Sequence, residues 1–188
     1  MNKITNKKIL VLAVLIYLLL LIPSIFISKQ WLALSSLWLL LTYFVLKKKT
    51  FDIRKNFSIL IMLAYPLFEF SIKAIYYLNI IPNSYDTLNR VEHFSWAFSF
   101  GVIAYFLLEK EFRNSQSRIF FFITFISIIN FVGLANEIVE YFIRLSMGSS
   151  SAYVYQDTIK DLIMNIGGSL AAFLLITKLS KNSSLDRI

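Results

Sequence analysis

Three short stretches of this 188-residue chain carry its one histidine and six of its eleven acidic residues. The first is Asp86-Thr-Leu-Asn89-Arg90-Val-Glu92-His93-Phe94, which holds the single histidine. Asn89 and His93 are four residues apart, as are Asp86 and Arg90, so each pair shares a face if a helix starts early. The second is Glu137-Ile-Val-Glu140-Tyr141-Phe-Ile-Arg144, where the polar residues fall at i, i+3, i+4 and i+7 and form one stripe. The third is Asp157-Thr-Ile-Lys-Asp161-Leu-Ile-Met-Asn165, a polar face at i, i+4 and i+8. One imidazole among several carboxylates suits a divalent cation such as Mg²⁺, Mn²⁺ or Zn²⁺. His93, Glu137 and Asp161 are the candidate metal ligands. His93, Glu137, Glu140, Asp157 and Asp161 are the candidate catalytic groups, with His93 or Glu137 as base. Asn165 and Arg90 are candidate polar support for a bound cofactor or ligand.

Other chemistries are excluded by what is missing. There is no cysteine, hence no disulfide, thiolate zinc site or cysteine nucleophile. One histidine cannot serve a centre that needs several imidazoles. No Walker-type phosphate loop, G-x-S-x-G elbow or H-E-x-x-H occurs. Ser149-Ser150-Ser151 reads as a flexible polar loop. Plainer roles compete at each position. Asp157 is a good helix N-cap, and Asp86, Glu92 and Arg144 are ordinary interfacial charges. Glu137, Asp161 and Asn165 differ because apolar sequence surrounds them, and acids so placed face a bundle interior or a water-filled cavity.

The elements that must position these groups are transmembrane helices. The chain is 57% hydrophobic with a mean hydropathy of +0.66. Only 16% of it is charged, against roughly 25% for a soluble domain. Six apolar stretches are expected to span, over residues 9–27, 31–46, 58–81, 91–108, 119–142 and 158–179. The first resembles a signal peptide but lacks a cleavage site, so it reads as an uncleaved anchor. The expectation is an all-α, polytopic membrane bundle forming one domain over 1–180, with a mobile tail at 181–188. Lys3, Lys7, Lys8, Lys47, Lys48, Lys49, Arg54, Lys55, Lys110, Arg113, Arg118, Lys178, Lys181 and Arg187 collect on one side, whereas the opposite loops hold Lys29, Arg90 and Arg144. The base-rich side, with both termini, is cytoplasmic. Short basic clusters between apolar runs orient a chain in a bilayer, so the net charge of +8 does not point to nucleic acid.

That topology puts Asp86, Glu92, Glu137, Glu140, Asp157 and Asp161 at the outer end. His93, Glu137 and Asp161 fall at one depth, since 18 residues at 1.5 Å rise carry Glu137 about 27 Å along its span. Gly167-Gly168 would admit another helix just below. Glu69 and Lys73, in the third stretch with Pro66, have the spacing of a helical ion pair; Pro66 can free a carbonyl.

Together the motifs resemble those of the YjdF-type inner-membrane proteins and, more distantly, the VanZ-like proteins. The resemblance rests on Tyr85-Asp86 with Glu92-His93-Phe94, on Glu137-Ile-Val-Glu140-Tyr141, and on Asp157-Thr158-x-x-Asp161-Leu162-x-x-Asn165. The gap between Asp86 and His93 is longer than the pattern has. The resemblance implies a multi-pass protein of a prokaryotic inner or plasma membrane acting in the cell envelope; it supplies no reaction. Three functions fit: an outer-face site for a metal with a lipid headgroup or lipid-linked envelope precursor, a small transporter or ion-coupled carrier, or a structural and assembly protein.

Overall fold

The computed structural model describes residues 3–27, 38–40, 43–44, 53–113 and 117–185. It contains five long helices: α1 (Lys3–Ile27), α2 (Ile53–Tyr77), α3 (Tyr85–Arg113), α4 (Arg118–Ser146) and α5 (Ser151–Leu185). No strand occurs among the described residues. Among the described residues three helices are long and apolar enough to cross a membrane, over Leu60–Tyr77, Ile119–Ser146 and Ser151–Lys178, and Val11–Pro23 is a shorter apolar helical segment. The expected span at 31–46 lies largely outside the described residues, as do the last three residues of the expected tail.

The chain forms two compact units, Met1–Leu88 and Asn89–Ile188. In the first, the packing turns on Pro66. Proline has no N–H, so the Met62 carbonyl one turn earlier loses its helical donor. The indole Nε1–H of Trp38 donates to that oxygen at 2.9 Å, and the Trp38 ring lies 4.6 Å from that of Tyr65. Trp38, Met62 and Tyr65 are all buried. Glu69 and Lys73 are buried too and approach to 3.9 Å, the ion pair their spacing announced. Helix α2 stops at Tyr77, short of the expected 81. Asn79 takes a left-handed φ of 52°, and the amides of Asn79 and Ile80 close on the carbonyls of Tyr76 and Ile75.

In the second unit, α4 and α5 form a hairpin closed by only four residues. Gly148, at φ +82°, ends α4 in a Schellman motif. Its amide bonds Leu145 O, and the Ser149 amide bonds Arg144 O. Ser150 then caps α5, its hydroxyl accepting from Tyr153 N at 3.3 Å. Two expectations are corrected here. Ser149–Ser151 is not a loose loop, and Asp157 is not an N-cap, because α5 begins nearly two turns before it. The core of this unit is Ile103, Phe125, Ile129 and Ala172. Phe173 packs among Phe121, Phe122 and Phe125 at 4.9–5.8 Å.

Helix α3 meets α5 at the glycine pair, and the two glycines are unequal. A Cβ on Gly168 would lie 2.2 Å from the Phe94 carbonyl oxygen and 3.0 Å from Phe98 N, whereas one on Gly167 would only touch the Phe94 ring at 3.5 Å. Gly168 therefore sets the distance between the two helices.

Two predictions follow from these contacts. Trp38→Phe should lower stability in detergent by about 1–3 kcal/mol, the cost of an unsatisfied buried carbonyl. The loss should shrink in a Pro66→Ala background, where residue 66 regains its own amide; a double-mutant cycle of denaturant unfolding measures this. Gly168→Ala should cost at least about 1–3 kcal/mol by overpacking against main chain, whereas Gly167→Ala should be nearly neutral in thermal melts.

Candidate functional site

Helix α3 begins at Tyr85, two turns before the expected span, and that early start puts Asn89, Arg90 and His93 on its inner side. Helices α4 and α5 run in opposite directions from their tight turn, so Glu137 and Glu140 on one meet Asp157 and Asp161 on the other. The sequence-expected groups converge. His93 Nδ1 lies 3.2 Å from Glu137 Oε1, and His93 Nε2 lies 3.5 Å from Asp161 Oδ1. Glu137 and Asp161 are almost fully buried, at 2% and 1% exposure, and the His93 side chain is mostly covered. One donor atom from each of the three lies within 4.8 Å of the others.

A second set of contacts walls this triad. Arg90 pairs through Nη1 with Asp161 Oδ1 and through Nη2 with Asp157 Oδ1. Arg144 pairs with the other Asp157 oxygen and bonds Glu140 Oε1 at 2.7 Å. Asp157 is thus held between two guanidiniums, one from α3 and one from α4. Asn89 donates to both Asp161 oxygens, at 3.2 and 3.3 Å. In a low-dielectric interior such charge-assisted bonds are stronger than in water, and losing one partner strands the other.

Below the triad the α5 stripe continues one turn past the announced Asn165, to Ser169. Asn165 and Ser169 are buried at the next two helical turns, and Ser169 Oγ accepts from Asn130 Nδ2 of α4 at 3.0 Å. Gly133 of α4 makes room for Asn165, since a Cβ there would stand 2.8 Å from its Nδ2. Ser169 was legible as the next i+4 position. Asn89 as the Asp161 donor needed the early helix start, and Asn130 and Gly133 needed the register between α4 and α5. Asp86 is exposed in the first turn of α3, where its charge complements the helix N-terminus.

Chemically, the triad offers one nitrogen and two carboxylate oxygens. Donor atoms around one tetrahedral cation at about 2.1 Å stand roughly 3.4 Å apart. The 3.2 and 3.5 Å approaches use opposite nitrogens of His93, of which one ion takes only one, so the set that bears on a metal is one His93 nitrogen with one oxygen each of Glu137 and Asp161, all within 4.8 Å of one another. Charge points the same way. The cluster of Glu137, Glu140, Asp157 and Asp161 with Arg90 and Arg144 leaves two negative charges in excess when every carboxylate is ionised and His93 is neutral. The residues therefore fit a divalent ion.

Apolar spanning helices around a buried histidine–carboxylate cluster define a helical membrane protein with an internal polar site. The chain belongs to the DUF2238 family, described as predicted membrane protein, whose model matches residues 8–182. No curated protein and no solved structure matches it.

The arginine wall yields a sharp contrast. Asp157→Ala removes the carboxylate shared by two guanidiniums and should destabilise the purified protein by about 3–5 kcal/mol. Glu140→Ala, at the more exposed end of the same chain of contacts, should cost no more than about 1 kcal/mol. Chemical denaturation in mixed micelles would rank the two.

Proposed function

We propose that this is a six-span protein of a prokaryotic cell membrane, with both termini cytoplasmic. At the outer end of its spans it holds a divalent cation on His93, Glu137 and Asp161. Through that cation it binds the polar head of a lipid or a lipid-linked envelope precursor. The observation that carries the reading is the approach of three donor atoms, from three helices, to within 4.8 Å of one another with both carboxylates buried. The two excess negative charges of the surrounding cluster support it. The positive-inside asymmetry supports the orientation, and the YjdF-type and VanZ-like resemblance supports the envelope assignment. A divalent ion at this place would supply a Lewis acid able to polarise a phosphoryl oxygen. His93 or Glu137 is the base the site could offer, with Glu140 and Asp157 setting its charge and Arg90 and Asn165 lining it.

The Asp157 clasp favours a second reading, an assembly protein in which the cluster only fixes helix packing. A carrier is the third reading; it draws on Glu69 and Lys73, whose pairing within one turn of α2 already accounts for them.

Native mass spectrometry with elemental analysis of the purified protein separates these readings. Wild type should carry about one divalent ion per chain, and Glu137→Ala and Asp161→Ala should lose it while remaining monodisperse. A protein that takes up no Mn²⁺, Mg²⁺ or Zn²⁺ at millimolar concentration would favour the assembly reading. Proteoliposome flux that falls with Glu69→Gln would favour the carrier.

A further inference from the structure

The metal reading leaves one buried group unexplained. Asn165 is 1% exposed, and neither its Oδ1 nor its Nδ2 has a hydrogen-bond partner among the described residues. A buried polar group left unsatisfied costs about 1–3 kcal/mol, and an amide with both ends unmet is rare enough to need a reason. Nor is the amide an accident of a loose core. Gly133 faces it with no side chain, and any Cβ there would intrude on Nδ2 at 2.8 Å.

Direction supplies the reason. Helical side chains lean toward the N-terminus of their own helix. On α5 that lean tips Asn165 up toward Asp161. On the antiparallel α4 it tips Glu137 down toward Gly133, the residue that Asn165 packs against. The two heads therefore face one space from opposite helices. Glu137 Oε1 is likewise buried and has no hydrogen-bond donor, although it lies 3.2 Å from His93 Nδ1. Two unsatisfied groups that face each other's turn without bonding each other call for a third party between them. The donor set selects what that party is. Two carboxylates call for positive charge, and an amide oxygen is a hard donor suited to Mn²⁺, Mg²⁺ or Ca²⁺.

We propose that Asn165 is a fourth protein ligand of the cation site, binding through Oδ1 and making the set one imidazole nitrogen and three oxygens. The inference rests on the metal reading of His93, Glu137 and Asp161 and sharpens its specificity. Three oxygens and one nitrogen favour Mn²⁺, which accepts more ligands than Zn²⁺. Zinc is content with three protein ligands and a water. Nδ2 remains free to donate to a water on the same ion.

The test uses the full chain in detergent, titrated with Mn²⁺ alone and with Zn²⁺ alone, with free Mn²⁺ followed by electron paramagnetic resonance. Asn165→Ala should weaken Mn²⁺ binding by about 100-fold, the upper end for disturbing a metal site, and Zn²⁺ binding by no more than about 10-fold. Asn165→Asp keeps an oxygen at the same reach and should hold Mn²⁺ within about 10-fold of wild type. Gly133→Ala retains every ligand but crowds Asn165, and it should weaken Mn²⁺ by about 10-fold, which keeps the test open if Asn165→Ala does not fold. Equal losses for both metals, or none, would overturn the role of Asn165 and leave the three-residue site standing. Wild type that binds neither metal would overturn both.

Discussion

A carboxylate inside a spanning helix must be met by a partner, and that requirement organises the second unit of this protein. Helix α5 carries Asp157, Asp161, Asn165 and Ser169 on one buried line. Unmet, each would cost several kcal/mol in an apolar surrounding. The neighbouring helices answer three of the four. Arg144 and Arg90 reach Asp157 from two helices, Asn89 and Arg90 reach Asp161, and Asn130 reaches Ser169. The close turn at Gly148 sets α4 beside α5 so that the partners arrive in register. Gly168 lets the α3 backbone come near enough for Asn89, Arg90 and His93 to arrive as well.

Much of this was readable from residue spacing alone. The i, i+4, i+8 run from Asp157 announced the α5 face, and the stripe from Glu137 to Arg144 announced its counterpart. The Glu69–Lys73 pair and the carbonyl freed by Pro66 followed from one-turn arithmetic. The sequence was less informative where hydropathy and helix geometry diverge. Hydropathy marks where an apolar run begins, not where a helix begins. Thus α3 and α5 start at Tyr85 and Ser151, well ahead of the apolar runs at 91 and 158. That offset turned Asp157 from an expected cap into a buried group held by two arginines. It also gave the α4–α5 turn a defined geometry where a polar loop was expected.

Contacts between helices were illegible for a different reason. Trp38 meeting the Met62 carbonyl joins residues 24 apart, and Asn89 meeting Asp161 joins residues 72 apart. No periodicity within one helix encodes which turn of another it will face. The information lies in steric features such as Gly133, Gly167 and Gly168. These look alike in a sequence and differ only once the neighbour is placed: Gly168 is against main chain, Gly167 against a ring edge, Gly133 against an amide.

The gradient of burial across the cluster bears on which kind of function the arrangement can serve. Glu140 and Arg144 keep 31% and 19% of their side-chain surface, and His93 keeps 12%, while Glu137 and Asp161 are nearly sealed. Beyond Asn165 the line closes. Ser169 is bonded to Asn130, and the next turns present Ala172 and Ile176 against the core that Phe125 and Ile129 occupy. A conduit needs polar or hydrated groups along its whole length. This line is instead most exposed at Glu140 and Arg144 and stops against aliphatic packing about two turns below Asp161. A polar line that is most exposed at one end and ends in aliphatic packing at the other supports the proposed binding site better than the carrier, which needs polar groups on both sides.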